Sequence, residues 1–230
     1  MRDARIAFGE RVVADRLTLD FAAGRTTCLL GRSGVGKTSL LRWLAGLLPG
    51  TTRPPTSPAG ALAYMAQRDL LLPWLPVLEN VLLGYRLRGE RDAAGVEARA
   101  RNILGEVGLG DRLVDRPEAL SGGMRQRAAL ARTLCENRPV VLMDEPFSHL
   151  DAVTRFELQD LAARLLAGRT VVLVTHDPLE ALRLGHEVRV LAGAPFAAGP
   201  VLVPPGAPPR DPSDPALLAL QAGLIAELRA

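Results

Sequence analysis

Residues 26–40, TTCLLGRSGVGKTSL, carry the reading on which the fold turns. The run 26–30 is short, apolar and partly β-branched, and it ends in glycine, as a buried strand does. From Thr38, apolar residues recur at Leu40, Leu41, Leu44 and Leu47, the spacing of one helix face. Between them lies Gly31-Arg-Ser33-Gly34-Val-Gly36-Lys37-Thr38-Ser39. Strand, glycine-rich turn and helix form the context in which a phosphate-binding loop works. Glycines let successive N–H groups turn inward, and the helix N-terminus beyond favours an anion. Lys37 is then placed to bridge the β- and γ-phosphates of a nucleotide, and the Thr38 hydroxyl to ligate magnesium. Lys37 is also the only lysine in a chain that otherwise uses arginine. A compact ammonium on a flexible stem enters a phosphate cradle where a planar guanidinium is too wide.

Upstream, residues 5–8 and 16–21 read as N-terminal strands. Downstream, 49–60 (PGTTRPPTSPAG) is a proline-rich connector, and 61–65 a strand ending near Gln67. From about 68 to 135 the pattern is helical, broken at Gly89, 108–111 and 117–120. Residues 139–143 and 170–175 are β-branched runs with almost no polar content, as in parallel strands covered on both faces. A helix at 154–166, a glycine- and proline-rich stretch at 193–212 and an amphipathic helix at 215–228 complete the chain. The expected fold is α/β: a parallel sheet core with an N-terminal antiparallel β region and an inserted helical subdomain. A single domain over 1–230 is expected, with its core at 1–67 and 137–230 and the helical part at about 68–136.

Two further constellations extend the chemistry. In PVVLMDEP (139–146), Asp144 and Glu145 stand at the C-terminal end of a buried strand, the ligand edge of an open α/β sheet. Asp144 suits a magnesium ion, directly or through water, and Glu145 the activation of an attacking water. His176, after TVVLVT, ends another strand at the same edge, where it faces a γ-phosphate. LSGGMRQR (120–127) places Ser121 as N-cap, with Gly122 and Gly123, at the head of a helix in the insertion, a second anion-attracting terminus. Lying in the insertion, it does not fold back onto its own phosphate loop. It can meet a nucleotide held by a second copy; an ordinary capped helix is the competing reading.

Composition narrows the partners. With 48% hydrophobic and 23% charged residues the chain is ordinary globular material. No stretch of about 20 apolar residues is free of charge, proline or glycine, and the opening residues lack a signal-peptide core. A cytoplasmic location is therefore expected. The net charge of +3 comes from arginines interleaved with acids. That pattern marks a solvated surface and argues against a nucleic-acid partner. Cys28 and Cys135 sit in apolar runs and read as buried free thiols.

Taken in order, these motifs resemble those of ABC transporter ATPase subunits over nearly the whole chain. GRSGVGKT resembles the Walker A loop, Gln67 in AYMAQRD the Q-loop, and LSGGMRQR the signature. VVLMDEP resembles Walker B, SHLD with Asp151 the D-loop, and His176 the switch histidine. The resemblance implies a P-loop NTPase (RecA-like) fold that binds ATP and Mg2+, the ion held by Thr38, Asp144 and Gln67. It also implies Gly31, Ser33, Gly34, Gly36, Lys37, Thr38, Ser39, Ser121, Gly122, Gly123 and Asp151 around the nucleotide, with Lys37, Glu145 and His176 catalytic. Phe8 lies where such proteins stack an aromatic on adenine; a core phenylalanine is the competing reading. The implied partners are a second copy, integral-membrane permease subunits and, indirectly, a solute-binding protein, at the cytoplasmic face of the inner membrane. The interval from Lys37 to Gln67 is shorter than usual in the family, and His149 stands where alanine is common. RDLLLPWLPVLENVLLG (68–84), SGGMRQRAALARTL (121–134), DEPFSHLDAVTR and VTHDPLEALRLG are similar to the nitrate/sulfonate/taurine importer group, and most to subunits serving hydroxymethylpyrimidine uptake. LLLPW serves either as a docking surface or as packing within the helical part. A soluble ABC ATPase acting on nucleic acid is the rival from another class.

Overall fold

Strands apolar on both faces need helices on both faces, and the elements follow that demand. In chain order they are β1 (Ala4–Phe8), β2 (Arg11–Leu17), β3 (Thr26–Gly31), α1 (Lys37–Leu44), β4 (Leu62–Met65), α2 (Val77–Arg88) and α3 (Ala93–Glu106). A 3₁₀ turn (Pro117–Ala119) precedes α4 (Gly122–Cys135), β5 (Val140–Asp144), α5 (Ala152–Leu165), β6 (Thr170–Thr175), α6 (Pro178–Leu184), β7 (Glu187–Gly193), β8 (Phe196–Ala198) and α7 (Pro215–Arg229). The structure, a computed structural model, describes residues 2–48, 61–89, 93–148 and 150–229. The connector at 49–60 and His149 lie outside the described residues.

The chain divides into two units. The first comprises residues 1–62, 139–145 and 167–230; the second comprises 63–138 and 146–166. In the first unit the strands run β1-β2-β8-β7-β3-β6-β5. β3 is central and parallel to both β6 and β7, with Cys28 opposite Leu173 on one side and Val188 on the other. β5 extends the parallel set beside β6. The antiparallel pairs β1–β2 and β7–β8 are joined through a parallel bridge, Ala14 to Phe196. Cys28, Leu29, Leu30, Val141, Val174 and Val188 are wholly buried, as are Leu40, Leu41 and Trp43 of α1. Each such aliphatic side chain contributes about 1.5–3 kcal/mol by leaving water. This core fixes where the ends of β3, β5 and β6 stand. In the second unit α2, α3 and α4 pack on one another, and α5 packs on α4.

Three expectations need correction. The second strand covers Arg11–Leu17, not 16–21; Val13, Ala14 and Leu17 are its buried residues, and Arg16 takes φ 49°, which breaks the alternation. Residues 68–76 are not helical: Leu70 has φ 49°, and Pro73 and Pro76 bias the residues before them away from the helical region. The stretch opening at 193 holds β8, which forms a hairpin with β7; Gly193, at φ 95°, makes the turn that only glycine enters easily.

Candidate nucleotide-binding and catalytic site

The loop between β3 and α1 is built by steric exclusion. Gly36, the N-cap of α1, has φ 118°, and a Cβ there would stand 2.6 Å from Val13 Cγ1. No side chain caps α1 and no acid lies in its first turn, so the N–H groups at its head are left to an anion. Arg32, Ser33 and Gly34 are exposed at the crown, whereas Lys37 is only 4% exposed. Its Nζ donates to Gly31 O at 2.7 Å and Arg32 O at 3.1 Å, and lies 3.5 Å from Glu145 Oε1. Burial lowers the pKa of this ammonium, and the neighbouring Glu145 and Asp144 carboxylates oppose that shift.

Thr38 Oγ1 donates to Asp144 Oδ1 at 3.0 Å, across the gap between α1 and the end of β5. Asp144 is 1% exposed. A hydroxyl and a carboxylate of this kind are hard oxygen donors suited to Mg2+, which characteristically takes its remaining oxygens from phosphate and water.

Glu145 follows β5 with φ 45°, a left-handed backbone for a residue that has a Cβ. Such strain persists where surrounding structure enforces it, and here Glu145 N donates to Val174 O at 2.9 Å. The carboxylate reaches two ways. Oε1 faces Lys37, and Oε2 lies 3.1 Å from His176 Nδ1 at the end of β6. His176 is half exposed, so contact with Glu145 and the course of its backbone place the ring. Lys37, Thr38, Asp144, Glu145 and His176 thus converge at one sheet edge. Phe8 ends β1 opposite Arg11, and its ring lies outside the described side chains.

The other expected residues belong to the second unit. Ser121 caps α4, its Oγ accepting from Met124 N at 3.3 Å, and no acid lies in the first turn. Ser121, Gly122, Gly123, Arg127, Asp151 and Thr154 line a cavity of about 530 Å³. Gly123 is required there, because a Cβ would stand 2.9 Å from Thr154 Cγ2. Asp151 caps α5 by accepting from Thr154 N at 3.0 Å, and that bond lowers its pKa. Gln67 lines a separate cavity with Asp69, Leu71, Arg125, Gln126 and Leu150.

Sequence reasoning missed what holds the loop after Gln67. Asn80 is wholly buried; its Oδ1 accepts from Leu72 N at 2.7 Å, and its Nδ2 donates to the carbonyls of Leu72, Leu75 and Pro76. Arg132 donates to the carbonyls of Asp69 and Leu70, and Arg125 pairs with Asp69. The signal available was negative: a loop with two prolines lacks backbone donors, so side chains must supply them.

Comparison with known proteins gives the family. The pattern of the ABC transporter family matches residues 14–148. An uncharacterized ABC transporter ATP-binding protein of Haemophilus influenzae is 39% identical, covering 99% of this chain and 97% of that protein. The aliphatic sulfonates import ATP-binding protein SsuB of Delftia acidovorans is 44% identical over 96% of this chain and 90% of its own length. The dimeric, post-hydrolysis structure of the ATP-binding cassette MJ0796 bound to ADP and Pi superposes with a TM-score of 0.75 at 27% identity, covering 90% of this chain and 98% of that one. With a phosphate loop, a strand-end carboxylate pair and this similarity in hand, the chain belongs to the ABC transporter family, with the P-loop α/β fold, as an ATP-hydrolysing, ATP-binding subunit.

Proposed function

We propose that this subunit powers uptake of a small organic solute, an aliphatic sulfonate, through separate membrane permease subunits. The observation that carries the hydrolytic part is the Lys37–Glu145–His176 arrangement beside the Thr38–Asp144 pair. In this reading Lys37 and the N–H groups of Gly34, Gly36 and their neighbours hold the phosphates, with Gly31, Ser33 and Ser39 shaping the loop. Thr38 and Asp144, assisted by Gln67, hold Mg2+, which neutralises charge on the phosphates when bound. His176 holds one oxygen of Glu145, and the other takes a proton from the attacking water. Phe8 stacks on the adenine.

Two copies complete the site: Ser121, Gly122, Gly123 and Asp151 of one close over the nucleotide held by the loop of the other. The dimer named for the MJ0796 structure supports that reading. The subunit sits at the cytoplasmic face of the inner membrane, the permease receives the movement of Gln67 and the loop after it, and a solute-binding protein delivers the cargo. No helix among the described residues is long and apolar enough to cross a membrane. The sulfonate-import name of the Delftia relative favours that cargo. Hydroxymethylpyrimidine uptake rests on the resemblance of segments 68–84, 121–134, 144–155 and 174–185 alone, and arginines interleaved with acids along the chain give a nucleic-acid partner no support.

Glu145→Gln tests the chemistry. It is expected to bind ATP normally, accumulate as a nucleotide-bound dimer and lose about 100-fold or more of turnover; near-normal phosphate release would remove Glu145 from the role of base. Reconstituted with its permease, the complex is expected to hydrolyse ATP faster with an alkanesulfonate than with a hydroxymethylpyrimidine. The reverse order would reassign the cargo.

A further inference from the structure

Arg210 lies in a proline-rich stretch, VPPGAPPRDP (203–212), far in sequence from every motif above. Its side chain is nevertheless buried, at 6% exposure, and all five of its N–H groups find main-chain carbonyls. Nε donates to Pro205 O at 2.7 Å. Nη1 donates to Leu182 O and Gly185 O, both at 2.7 Å. Nη2 donates to Pro204 O at 3.0 Å and Gly206 O at 2.9 Å. The main chain closes the knot: Arg210 N donates to Arg183 O, and the buried Arg183 returns a bond from its Nε to Arg210 O at 3.1 Å. Prolyl residues cannot donate, but their carbonyls still need partners. One guanidinium supplies them while locking the stretch onto the end of α6.

The geometry points to Arg210 as a positioning residue for His176, acting through α6. This inference rests on the proposed role of His176 in hydrolysis. α6 has only seven residues, too few to be rigid alone. Its front end is fixed by Asp177, whose Oδ1 accepts from Leu179 N and Glu180 N and whose own N donates to Thr175 Oγ1. His176 stands immediately before that cap. The back end is fixed by Arg210, whose charge also faces the negative pole of the helix. α6 lies against β3, which leads into the phosphate loop, and β6, which carries His176. Because the ring of His176 is half exposed, its backbone sets its distance to Glu145, and a tilt of α6 moves that backbone.

Arg210→Lys keeps the charge but cannot span five acceptors with three donors at one point. We measure ATP turnover and nucleotide affinity of the purified chain in four forms: native, Arg210→Lys, His176→Ala and the double variant. The expected result is turnover about tenfold lower in Arg210→Lys with ATP affinity within about twofold, and almost no further loss when it is added to His176→Ala. An equal loss in both backgrounds would mean a general structural role and overturn the inference alone. Native turnover in His176→Ala would overturn the role of the histidine and the inference with it. Native turnover in Arg210→Lys would show that the clamp is not needed. Should Arg210→Lys not fold, Arg183→Met, which removes one bond of the same knot, runs the same cycle with the same expected and overturning outcomes.

Discussion

At the strand ends of the first unit, Lys37 and Asp144 are 4% and 1% exposed, and the ammonium, two carboxylates, a hydroxyl and an imidazole hold one another within 3.5 Å. At the head of α4 in the second unit, Ser121 and Gly122 are exposed, the first turn carries no acid, and a wide cavity opens in front. One region is an internally compensated cluster, rigid because a parallel sheet fixes three strand ends. The other is a polar helix end whose donors have few partners of their own. On the proposed reading, chemistry that requires placed protons falls to the first, and recognition of an arriving anion to the second.

The sharpest way to break this contrast is to disable each region in a different copy. Lys37→Ala and Ser121→Arg are each expected to abolish hydrolysis. Mixed in equal amounts, they form dimers that retain one intact composite site, and about a quarter of native turnover returns if pairing is random. A mixture as inactive as its components, with mixed dimers verified, would show that the two regions do not serve a shared site.

Smaller lesions test how each region is built. Gly36→Ala forces a side chain into φ 118° and against Val13 and Phe196. It is expected to cost about 2–5 kcal/mol of stability and to lower nucleotide affinity strongly. Asn80→Ala in the second unit leaves a loop N–H and several carbonyls without their partner. It is expected to cost about 1–3 kcal/mol in urea unfolding while nucleotide affinity stays near native. Equal loss of affinity in both variants would erase the distinction between the regions.

How much of this was legible in the sequence follows from what kind of signal each part leaves. Strands β3, β5 and β6 were legible because burial on both faces writes an unbroken apolar run, and Thr170–Thr175 appears as read. The convergence of Lys37, Asp144, Glu145 and His176 was legible because each ends or follows such a strand. β8 and the course of β2 were not, since a three-residue strand and a strand interrupted at Arg16 leave too short an alternation. The scaffolding by Asn80, Arg132 and Arg210 was hidden for another reason: a side chain that serves main-chain carbonyls has no partner pattern in the sequence. The burial of both cysteines followed directly from their apolar neighbours.

The smallest effect concerns pH and the strand on the other side of β3. His186 Nδ1 accepts from Thr26 N at 3.0 Å, and His186 N donates to Thr26 O at 2.8 Å, tying the start of β3 to the entry of β7. Burial lowers the pKa of this imidazole, the positive charges of Arg25 and Arg210 lower it further, and Glu187 opposes them. The unfolded chain therefore binds a proton more readily than the native one between the lowered value and the ordinary value near 6.5. Stability must rise with pH across that window, and the penalty is complete below it and absent above it. His186→Asn presents Oδ1 where Nδ1 accepts and does not titrate. Thermal unfolding between pH 7.5 and 5 is expected to show a shallower decline for this variant than for the native chain. Identical slopes would mean that protonation of the ring, which turns Nδ1 from acceptor to donor, costs the native chain nothing, and that β3, the strand that leads into the phosphate loop, does not depend on this bond at its start.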